Sequence, residues 1–313
     1  MKRIMITGAN GQIGVELAIH LRKLYGAENV LTSSRRTIPG PVSEGGPFKI
    51  LDVRDGAAFS DILGSFKADT VIHLAGILSA KGEADPVSSW DINVNGTCAA
   101  LEVARTHGAA FFLPSSIAAF GPSTPAKSTP QDTLQRPTTI YGVAKVSLEL
   151  LCDYYHKRFG VDTRGLRFPG LISYEALPGG GTTDYAVHIY YDAVKKGSYT
   201  SFIAPGTYMD MMYMPDALNA VVQLMEADPA KLVHRNAFNV SAMSFEPEQI
   251  AASIRKVIPG FVMDYDVDPL RQSIAESWPD SLDCSAAREE WGFSPEYDLD
   301  RMTEDMLARL KKK

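Results

Sequence analysis

Thr7-Gly8-Ala9-Asn10-Gly11-Gln12-Ile13-Gly14 follows directly on the apolar run Ile4-Met5-Ile6 and opens an amphipathic stretch that continues to Tyr25. The spacing is G-x-x-G-x-x-G at a strand-to-helix turn. The first two glycines permit a tight turn and close backbone approach to a pyrophosphate, and the third lets the helix pack on the strand, while the helix start supplies free amide donors. Three glycines alone are a weak signal. At the first β-to-α turn of a chain that keeps alternating, they predict a dinucleotide site at this turn.

Working outward, short apolar runs rich in β-formers cover residues 3–6, 30–33, 48–51, 70–74, 110–114 and 161–167. They alternate with longer amphipathic stretches over about 12–25, 60–66, 88–105 and 141–159. That rhythm predicts an α/β fold, a doubly wound parallel sheet covered by helices on both faces, the Rossmann arrangement. After Arg167 the alternation weakens at Pro169-Gly170 and Pro178-Gly179-Gly180-Gly181. A Rossmann domain is therefore expected over 1–175 and a smaller C-terminal substrate lobe over 176–313. The two interleave, because 211–214 and 215–226 read as a strand and helix that rejoin the first domain within about 207–230.

The chain has 313 residues, 45% hydrophobic and 22% charged, which excludes a disordered or collagen-like class. A net charge of −6 without a basic stripe gives no reason to expect nucleic acid, and no apolar run approaches a membrane span. Three scattered cysteines fit a reducing compartment. The chain enters a strand at once, so a cytoplasmic protein is expected; a mitochondrial-matrix protein stripped of its transit peptide would read the same. No H-x-x-x-H or cysteine cluster predicts a metal site.

Two further segments carry chemistry. Tyr141-Gly142-Val143-Ala144-Lys145 is a Y-x-x-x-K in a predicted helix, which places both polar side chains on one face. A phenol is a poor base at neutral pH, and a neighbouring ammonium favours its phenolate. Read alone, the pair also suits an ordinary amphipathic helix. Pro114-Ser115-Ser116 closes a predicted strand and offers two hydroxyls at the end of the sheet where ligands bind. Gly179-Gly180-Gly181 followed by Thr182-Thr183-Asp184 is suited either to a carboxylate site at a helix start or to a plain helix cap.

The glycine spacing, the Y-x-x-x-K and the strand-end serines together resemble the extended short-chain dehydrogenase/reductases. The resemblance narrows in Gly76-Ile77-Leu78-Ser79-Ala80-Lys81-Gly82-Glu83, Asp91-Ile92-Asn93-Val94-Asn95-Gly96-Thr97, Pro114-Ser115-Ser116-Ile117-Ala118-Ala119-Phe120-Gly121, Leu177-Pro178-Gly179-Gly180-Gly181-Thr182-Thr183-Asp184-Tyr185, Met211-Met212-Tyr213-Met214-Pro215-Asp216 and Ser277-Trp278-Pro279-Asp280-Ser281-Leu282-Asp283. These are similar to L-threonine 3-dehydrogenases of the short-chain type, and they span nearly the whole chain.

The resemblance implies that Tyr141 is the base, that Lys145 holds the nicotinamide ribose, and that Ser116, five residues before Gly121, orients the substrate oxygen. The cofactor would lie along Gly8, Gly11, Gln12 and Ile13, with Asp52-Val53 facing the adenine, Leu74 and Ala75 on the ribose and pyrophosphate side, Asn93 in the helix beneath and Pro169 in the floor at 168–171. Asp52 also suits a surface residue after a strand. Ser79, Thr182, Thr183 and Trp278 would receive L-threonine, and a homodimer would form through a four-helix seam of 88–105 and 141–159. The implied cofactor is NAD. One departure stands out: an acidic residue usually ends the second strand, where this chain has Ser34-Arg35-Arg36, which would accommodate the phosphate of NADP. The alternatives are a nucleotide-sugar epimerase or dehydratase with the same residues, or a non-catalytic dinucleotide sensor.

Overall fold

A computed structural model of the chain describes residues 1–175 and 179–312; Ala176, Leu177, Pro178 and Lys313, and the side chain of Ala80, lie outside the described residues. The apolar runs form strands β1 (Ile4–Thr7), β2 (Val30–Ser34), β3 (Phe48–Ile50), β4 (Thr70–His73), β5 (Ala110–Ser116) and β6 (Thr163–Phe168). With β10 (Phe238–Asn239) they make one seven-stranded sheet in the order β10-β6-β5-β4-β1-β2-β3, and every pairing in it is parallel. The order reverses between β1 and β4, so the crevice where ligands bind in such sheets opens beside β1.

Side-chain alternation assigns the two faces. Met5, Leu31, Val71 and Phe111 pack with Leu101, Ala104 and Leu148 from helices Gly96–His107 and Ile140–Phe159. Ile4, Ile6, Ile72 and Phe112 pack on the opposite face with Leu17 and Leu21 of helix Gln12–Tyr25 and Val221 and Leu224 of helix Met214–Glu226. Burying both faces explains why these strands are continuously apolar.

A separate core gathers Tyr185, Tyr190, Met211, Phe245, Ile254 and Met306 around two small sheets. One is β11-β9-β7, from β7 (Gly170–Ile172), β9 (Met209–Tyr213) and β11 (Met243–Phe245). The other pairs β8 (Ser198–Ser201) with β12 (Val262–Tyr265). Thus β9 belongs to a small sheet, while the helix that follows it packs into the large one.

The elements of the sheet domain shift from the sequence expectation by a residue or two at most ends, and depart from it more plainly in the following places. The helix expected from 60 begins at Gly56, because Asp55 caps it by accepting from the Ala58 amide at 2.9 Å. The stretch expected at 88–105 runs from Pro86 to His107 and contains a π-helical segment, Asp91–Asn95. Strand β10 is too short to show periodicity and pairs only at long range. Among the described residues no helix is long and apolar enough to cross a membrane.

Candidate active site

Gly8 has φ +66°, and a Cβ there would lie 2.5 Å from the Ala75 backbone nitrogen, so only glycine lets the turn lie against the segment leaving β4. A Cβ on Gly14 would stand 2.7 Å from Ala9, which ties the helix to the turn. The helix is capped by Gly11 with no side-chain acceptor and no acid in its first turn, leaving amide donors and a positive dipole end for an anion. Gln12 Nε2 is buried there without a hydrogen-bond partner among the described residues. An open helix start, a donor lacking a partner and a cradle that any Cβ would fill together suit a dinucleotide pyrophosphate.

Tyr141 is positioned by the start of its helix. Thr139 accepts from the Gly142 amide at 3.0 Å, and Glu83 accepts from the Ile140 amide at 2.7 Å. A Cβ on Gly142 would come within 2.2 Å of the Ala118 carbonyl, so glycine brings the helix against the short turn Ile117–Ala119 that follows Ser116. One turn on, the Lys145 ammonium lies 5.2 Å from the centre of the Tyr141 ring and donates to the Pro114 carbonyl at 2.5 Å. Ser116 is half-buried, and its Oγ accepts from the Ala118 amide at 3.2 Å. Ser115 instead donates to Glu149, which forms a buried ion pair with Arg167 at 2.9 Å. The two hydroxyls are separated by strand alternation.

One cleft brings together Gly8, Gly11, Gln12, Ile13, Leu74, Ala75, Asn93, Lys145 and Pro169 with Ser79, Ser116, Tyr141, Thr182, Thr183 and Trp278. Asn93 clamps the segment after β4, accepting from the Ile77 amide at 2.7 Å and donating to its carbonyl at 3.0 Å. Thr182–Asp184 forms a short 3-10 turn in which the Asp184 carboxylate takes the amides of Gly180 and Gly181 at 2.8 and 2.6 Å. Those amides are therefore taken, while Thr182 and Thr183 themselves form part of the cleft wall. Burial raises the Asp184 carboxyl above its ordinary range.

Ser34, Arg35, Asp52 and Val53 are not part of the cleft wall; they stand beyond it on the same edge of the sheet, at the ends of β2 and β3. Asn10 in the glycine turn donates to the Arg36 carbonyl at 3.0 Å, which keeps the arginine pair beside the turn. Asp52 pairs with Arg54 at 2.7 Å, and Arg54 reaches on to Asp91 at 2.9 Å. The Arg54 hydrogen bond, aided by the more distant charge of Arg35, holds the Asp52 carboxyl at about 2. Val53 is buried against Gly96. The cleft also includes His73 and Thr97, which the sequence did not single out, and Asp184, which it gave only as part of the helix start. His73 sits in an apolar strand and reads as core, and only its polarity there was a signal. No group of side chains suited to a metal ion occurs among the described residues.

A parallel sheet with a glycine turn at its switch point and Tyr141, Lys145 and Ser116 beside it defines a dinucleotide-dependent protein of the extended short-chain type. Residues 4–241 match the NAD dependent epimerase/dehydratase family, and the chain belongs to it. It is 59% identical over 315 residues to an uncharacterized epimerase/dehydratase of Staphylococcus haemolyticus, covering 100% of this chain and 99% of the relative. It is also similar to the solved L-threonine dehydrogenase of Clostridium difficile, at 62% identity and TM-score 0.99, covering 100% of this chain and 98% of that one. A monomeric L-threonine 3-dehydrogenase from a metagenome is 41% identical with TM-score 0.94, with 99% of each chain covered.

Proposed function

We propose that this protein oxidises the 3-hydroxyl of L-threonine to give 2-amino-3-oxobutanoate. The observation that carries the reading is the convergence of Tyr141, Lys145 and Ser116 with Thr182, Thr183 and Trp278 on one cleft, in a chain so similar along its whole length to an L-threonine dehydrogenase. Gly8, Gly11, Gln12, Ile13, Leu74, Ala75, Asn93, Lys145 and Pro169 would hold the nicotinamide dinucleotide, which supplies the hydride acceptor when bound. Tyr141 takes the hydroxyl proton, with the Lys145 ammonium 5.2 Å from the centre of its ring. Ser116 orients the substrate oxygen. Ser79, the Thr182 and Thr183 hydroxyls and Trp278 bind the rest of the small zwitterion.

Residues 1–175, rejoined by about 207–230, carry the cofactor, and 176–313 form the substrate lobe. NAD is the main cofactor, with NADP also admitted: Ser34 and Arg35 meet the adenosine ribose, and Asp52 and Val53 lie on the adenine side. Val143, Leu150 and Tyr154 leave an exposed apolar face on helix Ile140–Phe159, and this face supports a homodimer across that helix. Free Cys98, Cys152 and Cys284 suit the reducing cytoplasm.

The test is reduced-cofactor formation with L-threonine, serine, 3-hydroxybutyrate and UDP-sugars as separate substrates. Threonine turnover with 2-amino-3-oxobutanoate or its decarboxylation product is expected. Turnover of a UDP-sugar in its place would transfer the protein to the epimerases.

A further inference from the structure

We propose that His73 is a positioning residue for Lys145: its Nε2 accepts a hydrogen bond from a water to which the Lys145 ammonium in turn donates, and so gives that ammonium a second anchor besides the Pro114 carbonyl. The inference rests on the placing of Lys145 at the hydride-transfer site.

The sheet puts the two groups on one face. Met5, Val71 and Phe111 point toward the helices that carry Asn93 and Lys145. By alternation Thr7, His73 and Leu113, two residues further along each strand, point the same way. The parallel register pairs Ile72 with Phe112, so His73 lies level with Leu113, next to the Pro114 carbonyl that takes Lys145. Both His73 and Lys145 form part of the cleft wall.

The ring itself is fixed. It stacks on Phe111, with centroids 5.7 Å apart and 26° between the planes, and Nδ1 shares a 2.9 Å hydrogen bond with the Thr7 hydroxyl. Its Nε2 is fully buried and has no partner among the described residues. A buried nitrogen left unpaired is unfavourable, so this one calls for a partner from the cleft. Burial, with a smaller contribution from the Lys145 charge, lowers the imidazole to about 3, so the ring is neutral across the working range.

A neutral imidazole carries one N–H and one lone pair. With Nδ1–H directed to Thr7, the lone pair of Nε2 faces the cleft and is complementary to a water O–H. Lysine has three N–H donors. One goes to Pro114, and a second directed at the water on His73 fixes the ammonium under Tyr141 while leaving the third for the cofactor. Thr7 closes the chain of contacts, one residue before the glycine turn. In this way the turn that holds the dinucleotide and the lysine that serves the base share one buried support.

The tautomer of His73 in the cofactor-free protein, read by 15N NMR of the imidazole, tests the idea without any turnover. The Nδ1–H form is expected, with the Nε2 resonance moving toward that of an unbonded lone pair in Lys145→Met. An Nε2–H form, or no movement in Lys145→Met, overturns the proposal. Two variants extend the test. His73→Phe keeps the ring stacking and removes both nitrogens, and it should lower kcat by about tenfold with KM for threonine and cofactor Kd within about twofold. His73→Gln, which retains an acceptor, should recover most of the rate. Unchanged kcat in His73→Phe also overturns it, and should that variant not fold, the tautomer and the Gln variant decide. If the wild-type protein does not oxidise threonine, the functional reading fails, and the tautomer result stands apart from it.

Discussion

The Lys145 ammonium lies 5.2 Å from the centre of the Tyr141 ring, one helical turn away, with its own position set by the Pro114 carbonyl at the end of the neighbouring strand. Both side chains stand in the wall of the one cleft, which is where a proton acceptor for the substrate hydroxyl has to lie. Tyr141→Phe should therefore keep the fold and cofactor binding, yet lower kcat by at least about a hundredfold, the usual contribution of a positioned proton acceptor. Lys145→Met should lose rate and in addition weaken cofactor binding. Steady-state rates together with fluorescence titration of the reduced cofactor separate the two effects, and near-normal turnover in Tyr141→Phe would remove the tyrosine from the mechanism.

On the substrate side the structure narrows the choice of donors. Asp184 occupies the Gly180 and Gly181 amides, so a carboxylate in this part of the cleft would be received by Thr182 and Thr183 rather than by the glycines. Thr182→Ala and Thr183→Ala should each raise KM for threonine by about tenfold while leaving cofactor affinity unchanged. Thermal unfolding provides the control. A loss of Tm with KM unaltered means that these threonines only start the helix.

Asp210 gives the stability a pH dependence of known sign. It is 2% exposed on β9 and accepts from the Leu282 amide at 2.5 Å, anchoring the segment that carries Trp278. Burial pushes its carboxyl up to about 7, above the ordinary value of 3.8 in an unfolded chain. Because the folded state holds the proton more tightly, its contribution is complete below about pH 4 and is lost as pH rises through about 7. Asp210→Asn keeps an acceptor for Leu282 without a charge to bury. Its Tm relative to the wild type should rise by a few degrees, in order of magnitude, between pH 5 and pH 8. Equal Tm differences at both pH values would mean that Asp210 titrates in the ordinary carboxylate range.

The parts of this protein legible in the sequence are those written in local spacing. The glycine turn and Tyr141–Lys145 each span fewer than ten residues, and the apolar period of the strands records burial on both faces. What was not legible depends on distant partners. Strand β10 exists because Phe238 pairs with Leu166, and neither residue signals it. The π-helical segment Asp91–Asn95 has no composition of its own, although it brings Asn93 to Ile77. The polar character of His73 is plain in sequence, but its orientation becomes meaningful only once Thr7 and Lys145 are placed. Similarly, the division of Ser115 from Ser116 is a matter of strand alternation, and it needs Glu149 on a helix thirty-four residues away to show which hydroxyl is committed.

Cofactor preference turns on the end of β2. Ser34 is half-buried there, Arg35 and Arg36 are exposed, and the Asn10 bond to the Arg36 carbonyl keeps them beside the glycine turn. Asp52 is engaged with Arg54, so it places no free carboxylate against a 2′-phosphate. An acidic side chain at position 34 would accept both ribose hydroxyls and repel that phosphate, whereas serine beside guanidinium groups removes the repulsion and offers bidentate donors. NADP should accordingly be used measurably, with NAD the better cofactor. Ser34→Asp should move the ratio of kcat/KM values toward NAD by at least about tenfold, roughly 1.4 kcal/mol, since it adds one charge-assisted contact and one repulsion. Both cofactors measured on both proteins decide the matter: a wild type blind to NADP and a variant with the same ratio would show that Arg35 and Arg36 serve only the solvent-facing surface.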